Sequence, residues 1–548
     1  MNMISSYKQY ARPTGCIFAS LVLLSLSGCL SGSSSSSSSA TPESSTRATT
    51  AQGPVEGVAE SAMVVFKGIP FAAPPLGDLR FAPPQPALNR GAELLSADSY
   101  SSPCMQPANI FETAPGSEDC LYLNIYTPDV KGEYPVMVWI HGGSLENGSG
   151  GPTYDPVRLV ERGVTLVTIN YRLGVLGFLA HEELSATAAS GESGNYGLMD
   201  QQAALSWLRA NVASFGGDAN NITLFGESAG GHSILSHLAS PGSAVLFDKA
   251  IVQSGSYAPG QRDLSSAQAR GKIFADYIGC STNVVDCLRT LSADEIIRAQ
   301  SLAPAETSLG TGFLPIRYLP TSGTEVLSES ISEALVSGNT NEKAVLIGSN
   351  LDEWRLFVGL YLLGGGTVTE ANYTALIQAS TGVDANTAQN LANAYPPSEY
   401  TSPAQALSAL GTDAVFACNF INQLRQLAPL VPTYGYEFSD RDAPLTVPAV
   451  PGFEFGAAHA LEIGYLLASE ETIFQFGATE EQFELANYMA DYWTSFAKYG
   501  DPNPTSGDAP FWPVYAPGVE QRLLRLLPPK PEAFAASDFH SYHKCDLY

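Results

Sequence analysis

The chain has 548 residues, 45% apolar and 15% charged, which excludes a disordered or collagen-like polymer and describes a globular protein with a sizeable core. Against 54 Asp and Glu stand 27 Lys and Arg, a net charge of −27 whose sign argues against a nucleic-acid partner. That charge favours solubility and mildly repels anionic substrates, although salt screens it beyond roughly 8–10 Å.

The first element in the chain is an address. Lys8 and Arg12 form a positive start, Ile17 to Leu26 is an apolar run too short to span a bilayer comfortably, and Leu26-Ser27-Gly28-Cys29 follows. This end resembles the lipobox of bacterial lipoproteins, which implies a signal peptide over residues 1–29 and a lipid on Cys29. Residues 30–53 are Ser/Thr/Ala-rich, with serine at every position from Ser33 to Ser39, and are expected to be a disordered tether. The expected location is a bacterial membrane, at its outer-membrane, periplasmic or cell-surface face, or release as a secreted protein. No later apolar run is long enough to span, so the lipid is the only membrane attachment expected.

One body is expected over residues 54–548. Val136 to Ile140, Val164 to Ile169, Asn221 to Phe225, Ala250 to Val252 and Ala344 to Ile347 are short apolar runs, as expected of strands buried on both faces. Leu198, Leu205, Leu208 and Val212 mark a helix between the second and third. Leu485, Met489, Tyr492, Trp493 and Phe496 mark another near the end. This alternation implies an α/β fold with a mostly parallel sheet covered by helices on both faces. Residues 265–341 and 361–400 look like helical insertions that roof a site. Without Cys16 and Cys29 six cysteines remain; close spacing favours Cys104–Cys120 and Cys280–Cys287, leaving Cys418–Cys545, as suits an oxidising compartment.

Gly226-Glu227-Ser228-Ala229-Gly230 follows a predicted strand and opens a helical segment, the context of a nucleophile elbow. The turn is so tight that positions two before and two after the serine must lack bulk, hence Gly226 and Gly230. A serine hydroxyl needs a neighbouring base. His141 precedes a glycine pair and is assigned to holding that loop, and His232 and His237 to packing. His540 and His543 lie in a polar tail beside Cys545, read as solvated or tied by a disulfide. His459, which follows the strand Tyr434 to Phe438, is the base. The acid should leave the strand Ala344 to Ile347, where Asp352 and Glu353 compete and sequence spacing does not separate them.

Several separated motifs now resemble the type-B carboxylesterases, the cholinesterase-like branch of the α/β-hydrolases. They are Phe66 to Pro75, Ser117 to Asn124, Trp139 to Gly143, Gly194 to Gln201, Phe215 to Asp218 and Phe225 to Gly231, and the resemblance runs from Val55 to about Pro528. It implies the α/β-hydrolase fold, Glu353 as the acid, the disulfides Cys104–Cys120 and Cys280–Cys287, and structural ion pairs Arg80–Glu118 and Arg172–Asp200. It also implies an oxyanion hole from the N–H groups of Gly143, Ser144 and Ala229. Many relatives carry a third glycine at the position of Ser144, which can serve if its φ/ψ is ordinary. Leu145, where cholinesterases have an aromatic residue, implies a different pocket wall.

The function this implies is hydrolysis of small or lipophilic carboxylic esters through an acyl-Ser228 intermediate, with no metal and no organic cofactor. A histidine base implies activity that falls as pH drops through about 6–7. The alternatives are an inactive surface adhesion protein of the same fold and a hydrolase of another acyl bond, such as an amide or thioester.

Overall fold

The structure, a computed structural model, describes residues 46–60, 62–108, 116–302 and 317–548. The expected signal peptide with Cys29, and the tether up to residue 45, lie outside the described residues. What is described of the tether departs from expectation. Arg47–Thr50 is a strand (β1) paired antiparallel with Gly53–Glu56 (β2), and Leu95–Ser96 (β5) pairs parallel on the other side of β2. Ala48 and Thr50 point inward while Arg47 and Thr49 are exposed. The tip is held from the body, with the Ala51 N–H donating to Asn211 Oδ1 at 2.8 Å and the Ser214 hydroxyl to the Thr49 carbonyl at 2.7 Å. Small polar residues carry no hydrophobic signal, yet they suffice where a partner strand supplies the pairing. The ordered body therefore starts earlier than residue 54.

Among the described residues the main sheet has eleven strands. In chain order they are β3 (Val58–Glu60), β4 (Met63–Pro70), β6 (Tyr122–Thr127), β7 (Tyr134–Ile140), β8 (Thr165–Ile169), β9 (Gly217–Glu227), β10 (Lys249–Gln253), β11 (Ala344–Asn350), β12 (Thr433–Phe438), β13 (Arg522–Leu526) and β14 (Glu532–Ala535). They lie side by side as β14-β13-β12-β11-β10-β9-β7-β8-β6-β4-β3. From β8 to β13 every neighbour is parallel, and β3, β4, β6 and β14 add antiparallel edges. This is the α/β-hydrolase architecture. The central strands match the apolar runs read from the sequence, whereas the antiparallel edges carry weaker patterns and escape that reading.

Burial on both faces is visible along β7: Val136, Val138 and Ile140 enter one core, Met137 and Trp139 the other. Helices Tyr196–Asn211 and Ala229–Ala239 bury their stripes in the layers around the sheet, as does Glu480–Tyr499 with Leu485, Met489, Tyr492, Trp493 and Phe496. The expected insertions are helical, with Leu264–Tyr277, Val284–Thr290 and Ala293–Leu302 in the first and Tyr373–Thr381 and Ala385–Ala394 in the second. The disulfides are Cys104–Cys120, Cys280–Cys287 and Cys418–Cys545, the pairing that spacing favours.

Candidate active site

β9 ends at Glu227, and the helix Ala229–Ala239 starts one residue after Ser228. Ser228 makes the whole turn itself, at φ 55° and ψ −118°, a conformation that L-residues adopt only when their surroundings impose it. Those surroundings are bare backbone. A Cβ at Gly230 would stand 1.8 Å from the Ile140 carbonyl oxygen, and one at Gly226 2.5 Å from the same oxygen. The two glycines are therefore a steric requirement of β7 passing beneath the turn. Further ties hold the elbow: the Ser228 N–H donates to the Gln253 carbonyl at 2.9 Å, and the Ser228 carbonyl accepts the His232 N–H at 2.8 Å.

The loop after β12 brings His459 to the end of the loop after β11. Nδ1 of His459 lies 2.6 Å from Glu353 Oε2, and both side chains are buried. Glu353 Oε1 accepts the Ser349 hydroxyl at 2.9 Å and the Asn350 N–H at 2.8 Å, so the carboxylate is fixed before it meets the imidazole. Asp352, its rival in sequence, turns the other way. It takes Arg441 at 2.9 and 3.0 Å, Arg355 at 3.0 Å and the Ala457 N–H at 3.1 Å, binding the two loops together.

Nε2 of His459 faces the elbow, 3.0 Å from Oε1 of Glu227, the residue before Ser228. The approach is too far out of line to be a hydrogen bond, and among the described residues that oxygen has no donor. A third carboxylate, Glu462, is wholly buried close by, accepting Asn350 Nδ2 at 2.7 Å and Gln253 Nε2 at 3.2 Å. Burial raises the Glu227 carboxyl, His459 pulls it back, and Glu462 and Glu353 push it further up. Burial also raises Glu462. For His459 burial works downward, but the Glu227 and Glu353 carboxylates outweigh it and raise the imidazole above its ordinary value. Sequence reasoning missed both Glu227 and Glu462. The signals were present: a carboxylate at the buried end of a strand, and another three residues after the histidine.

The loop after β7 packs directly on the elbow. A Cβ at Gly142 would lie 2.9 Å from Glu227 Oε2 and 3.1 Å from Ser228 Cβ. The Gly143 carbonyl accepts the N–H groups of Glu146 at 3.0 Å and Asn147 at 2.9 Å, closing a tight turn. Gly143 has φ 104°, and a Cβ there would meet the Asn147 carbonyl oxygen at 2.3 Å. Ser144 does not have the ordinary backbone that its role in the oxyanion hole would require. Its φ is 58° and that of Leu145 is 60°, because the turn keeps its left-handed course beyond the glycine. Ala229 occupies the first position of the elbow helix.

The remaining histidines of the elbow region are structural. His141 stacks on Tyr171 at 4.4 Å and sets Nδ1 2.9 Å from the Gly142 carbonyl, and His232 stacks on Tyr257 at 5.0 Å. His237 bridges Gln201 and Ser243, each at 2.9 Å. Arg80 grips Glu118 with two bonds of 2.7 and 2.6 Å, and Arg172 grips Asp200 with two of 2.8 Å. His543, read as part of a polar tail, is instead buried. Its Nδ1 lies 2.6 Å from Asp413 and its Nε2 3.1 Å from Glu437. Around His459 the wall is aromatic: the rings of Phe357 and Phe416 are centred 5.1 and 5.0 Å from it.

The profile of the carboxylesterase family matches residues 44–542. The chain is 33% identical to a para-nitrobenzyl esterase of Bacillus subtilis (strain 168), over 87% of this chain and 94% of that protein. It is 35% identical to a fumonisin B1 esterase of Sphingopyxis macrogoltabida (85% and 84%) and 33% identical to the cholinesterase of Mus musculus (89% and 84%). Among solved structures, a thermophilic PNB esterase superposes with a TM-score of 0.76 at 29% identity, covering 91% of this chain and 99% of its own.

Proposed function

The chain belongs to the carboxylesterase family and is a carboxylic ester hydrolase, and from that premise we propose that it works through an acyl-Ser228 intermediate. His459 removes the hydroxyl proton as Ser228 Oγ adds to the ester carbonyl. The same imidazole then gives that proton to the departing alkoxide as the C–O bond breaks. Water repeats the sequence, its proton going to His459 and its oxygen to the acyl carbon, and Ser228 leaves with the proton restored. Glu353 holds the imidazole with Nε2 toward the elbow and stabilises its charged form. N–H groups of Gly143 and Ala229 receive the oxyanion, whereas the left-handed backbone of Ser144 does not meet the condition set for its N–H to join them. The observation that carries this reading is the buried 2.6 Å contact between His459 and Glu353, with the opposite nitrogen facing the elbow.

The aromatic wall beside His459 suits esters with an apolar acyl or alcohol group rather than small charged ones. A fluorophosphonate probe should label the protein at Ser228 alone and abolish hydrolysis of p-nitrophenyl esters in step with labelling. Labelling elsewhere, or activity that survives complete labelling, removes the assignment.

We also propose that the protein is exported and held at a bacterial membrane by a lipid on Cys29. The lipobox-like Leu26–Cys29 supports this, and three disulfides in the body suit an oxidising compartment. Cys29→Ser should move the enzyme from the membrane fraction to the soluble one. A variant that stays with the membrane contradicts the anchor.

A further inference from the structure

We propose that the C-terminal segment from Ala536 to Tyr548 is a distal positioning element of the active site. It grips a π-helical turn at Thr412–Ala417, and that turn supports the ring of His459 through Phe416. The proposal rests on the reading of His459 as the base.

The turn is one wide coil between the helices Pro403–Gly411 and Cys418–Leu427. Such widened turns are rare and cluster at functional sites, since they forfeit regular helical bonding. Its residues serve two sides. Toward the active site, Phe416 lies against His459 and stacks parallel to Phe357, whose own ring contacts His459. Thr412 Oγ1 accepts the N–H of Trp354, the neighbour of Glu353, at 3.0 Å. On the other side Asp413 takes His543 through Oδ1 and the Tyr395 hydroxyl at 2.7 Å through Oδ2. Cys418, the residue after the turn, is bonded to Cys545.

His543 fastens this turn to the sheet. Its second nitrogen meets Glu437 on β12, the strand whose following loop carries His459. Glu437 is further held by the Ser439 hydroxyl at 2.8 Å and by Arg525 Nε of β13 at 3.2 Å. The other groups around the imidazole are the rings of Phe539 and Tyr542, and Lys544, which reaches over Tyr395. A buried charge cluster of this kind is a poor source of stability, since apolar side chains of equal volume do as well. What it supplies is a fixed geometry, and the geometry it fixes is that of the turn behind His459.

The test uses the full chain carrying His543→Gln, Asp413→Asn or Phe416→Leu, with p-nitrophenyl ester hydrolysis followed across pH and folding followed by circular dichroism. The expected result is a fall in kcat on the order of tenfold for His543→Gln, with KM within about twofold of the parent. Its acid limb should move to higher pH, because a loosened wall relieves the burial that pulls the His459 imidazole down. Phe416→Leu should reproduce both changes, and combining it with His543→Gln should add little to either alone. Asp413→Asn keeps an acceptor for Nδ1 and should give a weaker version, which serves if His543→Gln does not fold. Variants that melt earlier yet keep the parental kcat and pH profile would overturn the proposal, as would an unaltered Phe416→Leu. His459→Gln, assayed beside them, separates the two readings: parental turnover there removes the base itself and not the brace.

Discussion

His459 and His543 are built alike. Each is buried, each has Nδ1 at 2.6 Å from a carboxylate, and each turns Nε2 toward a second carboxylate, at 3.0 Å for His459 and 3.1 Å for His543. In both, burial works against the charged ring and the carboxylates overcome it. Their surroundings differ. Both nitrogens of His543 are in hydrogen-bonding contact, with carboxylates themselves held by Tyr395, Ser439 and Arg525. Nε2 of His459 has a close but misaligned neighbour in Glu227, the residue before a serine held in a left-handed turn. A carboxylate-paired imidazole is thus a common structural part. On the proposed mechanism it becomes a proton carrier where one nitrogen lacks an aligned partner, as at His459.

Replacement of each imidazole breaks the comparison most sharply. His459→Gln should lower kcat by about four to six orders of magnitude, read by ester turnover, beside a fall in melting temperature comparable to that of His543→Gln, read by calorimetry. His543→Gln should share that loss of stability, with only the roughly tenfold fall in kcat expected of a brace. The pH dependence of that stability follows from the sign of the shift. Asp413 and Glu437 raise the His543 imidazole to about 9 against its burial. Stabilisation is therefore complete below the unfolded value near 6.5 and fades as pH climbs through about 9. The gap between wild type and His543→Gln, on the order of 2–3 kcal/mol near pH 6 by urea unfolding, should close by about pH 10. A gap that widens with pH would mean that the ring is buried neutral. The smallest effect concerns Glu227. Glu227→Gln removes a charge that raises His459, so the acid limb of kcat/KM should move to lower pH by about one unit. A limb that stays in place would show that Glu227 carries its proton throughout the working range.

The central strands were legible because β7 to β11 are buried on both faces and so form unbroken apolar runs. The elbow was legible because its glycines answer a steric demand that any such turn makes. Asp352 and Glu353 were not separable by sequence: both are loop carboxylates, and only the fold sends one to Arg441 and the other to His459. The resemblance to relatives selected Glu353, and the geometry now gives the reason for placing it at the imidazole. The backbone of Ser144 was not legible either, because the demand for a left-handed turn comes from loop closure two and three residues on. The disulfide that ties the tail of His543 was among the readings, but the burial of that histidine was not, because its partners lie 130 and 106 residues away, a distance no local pattern spans. Strand β1 was hidden by the opposite fault, a low-complexity sequence that folds only because β2 is there to receive it.

The backbone oxygen of Ile140 beneath Gly226 and Gly230 also bears on how this scaffold can be repurposed. Libraries that diversify the elbow will return mostly inactive clones whatever substrate is screened, since any side chain at those two sites collides with main chain that has no room to retreat. Diversity has to enter away from the elbow, where a new side chain does not meet main chain.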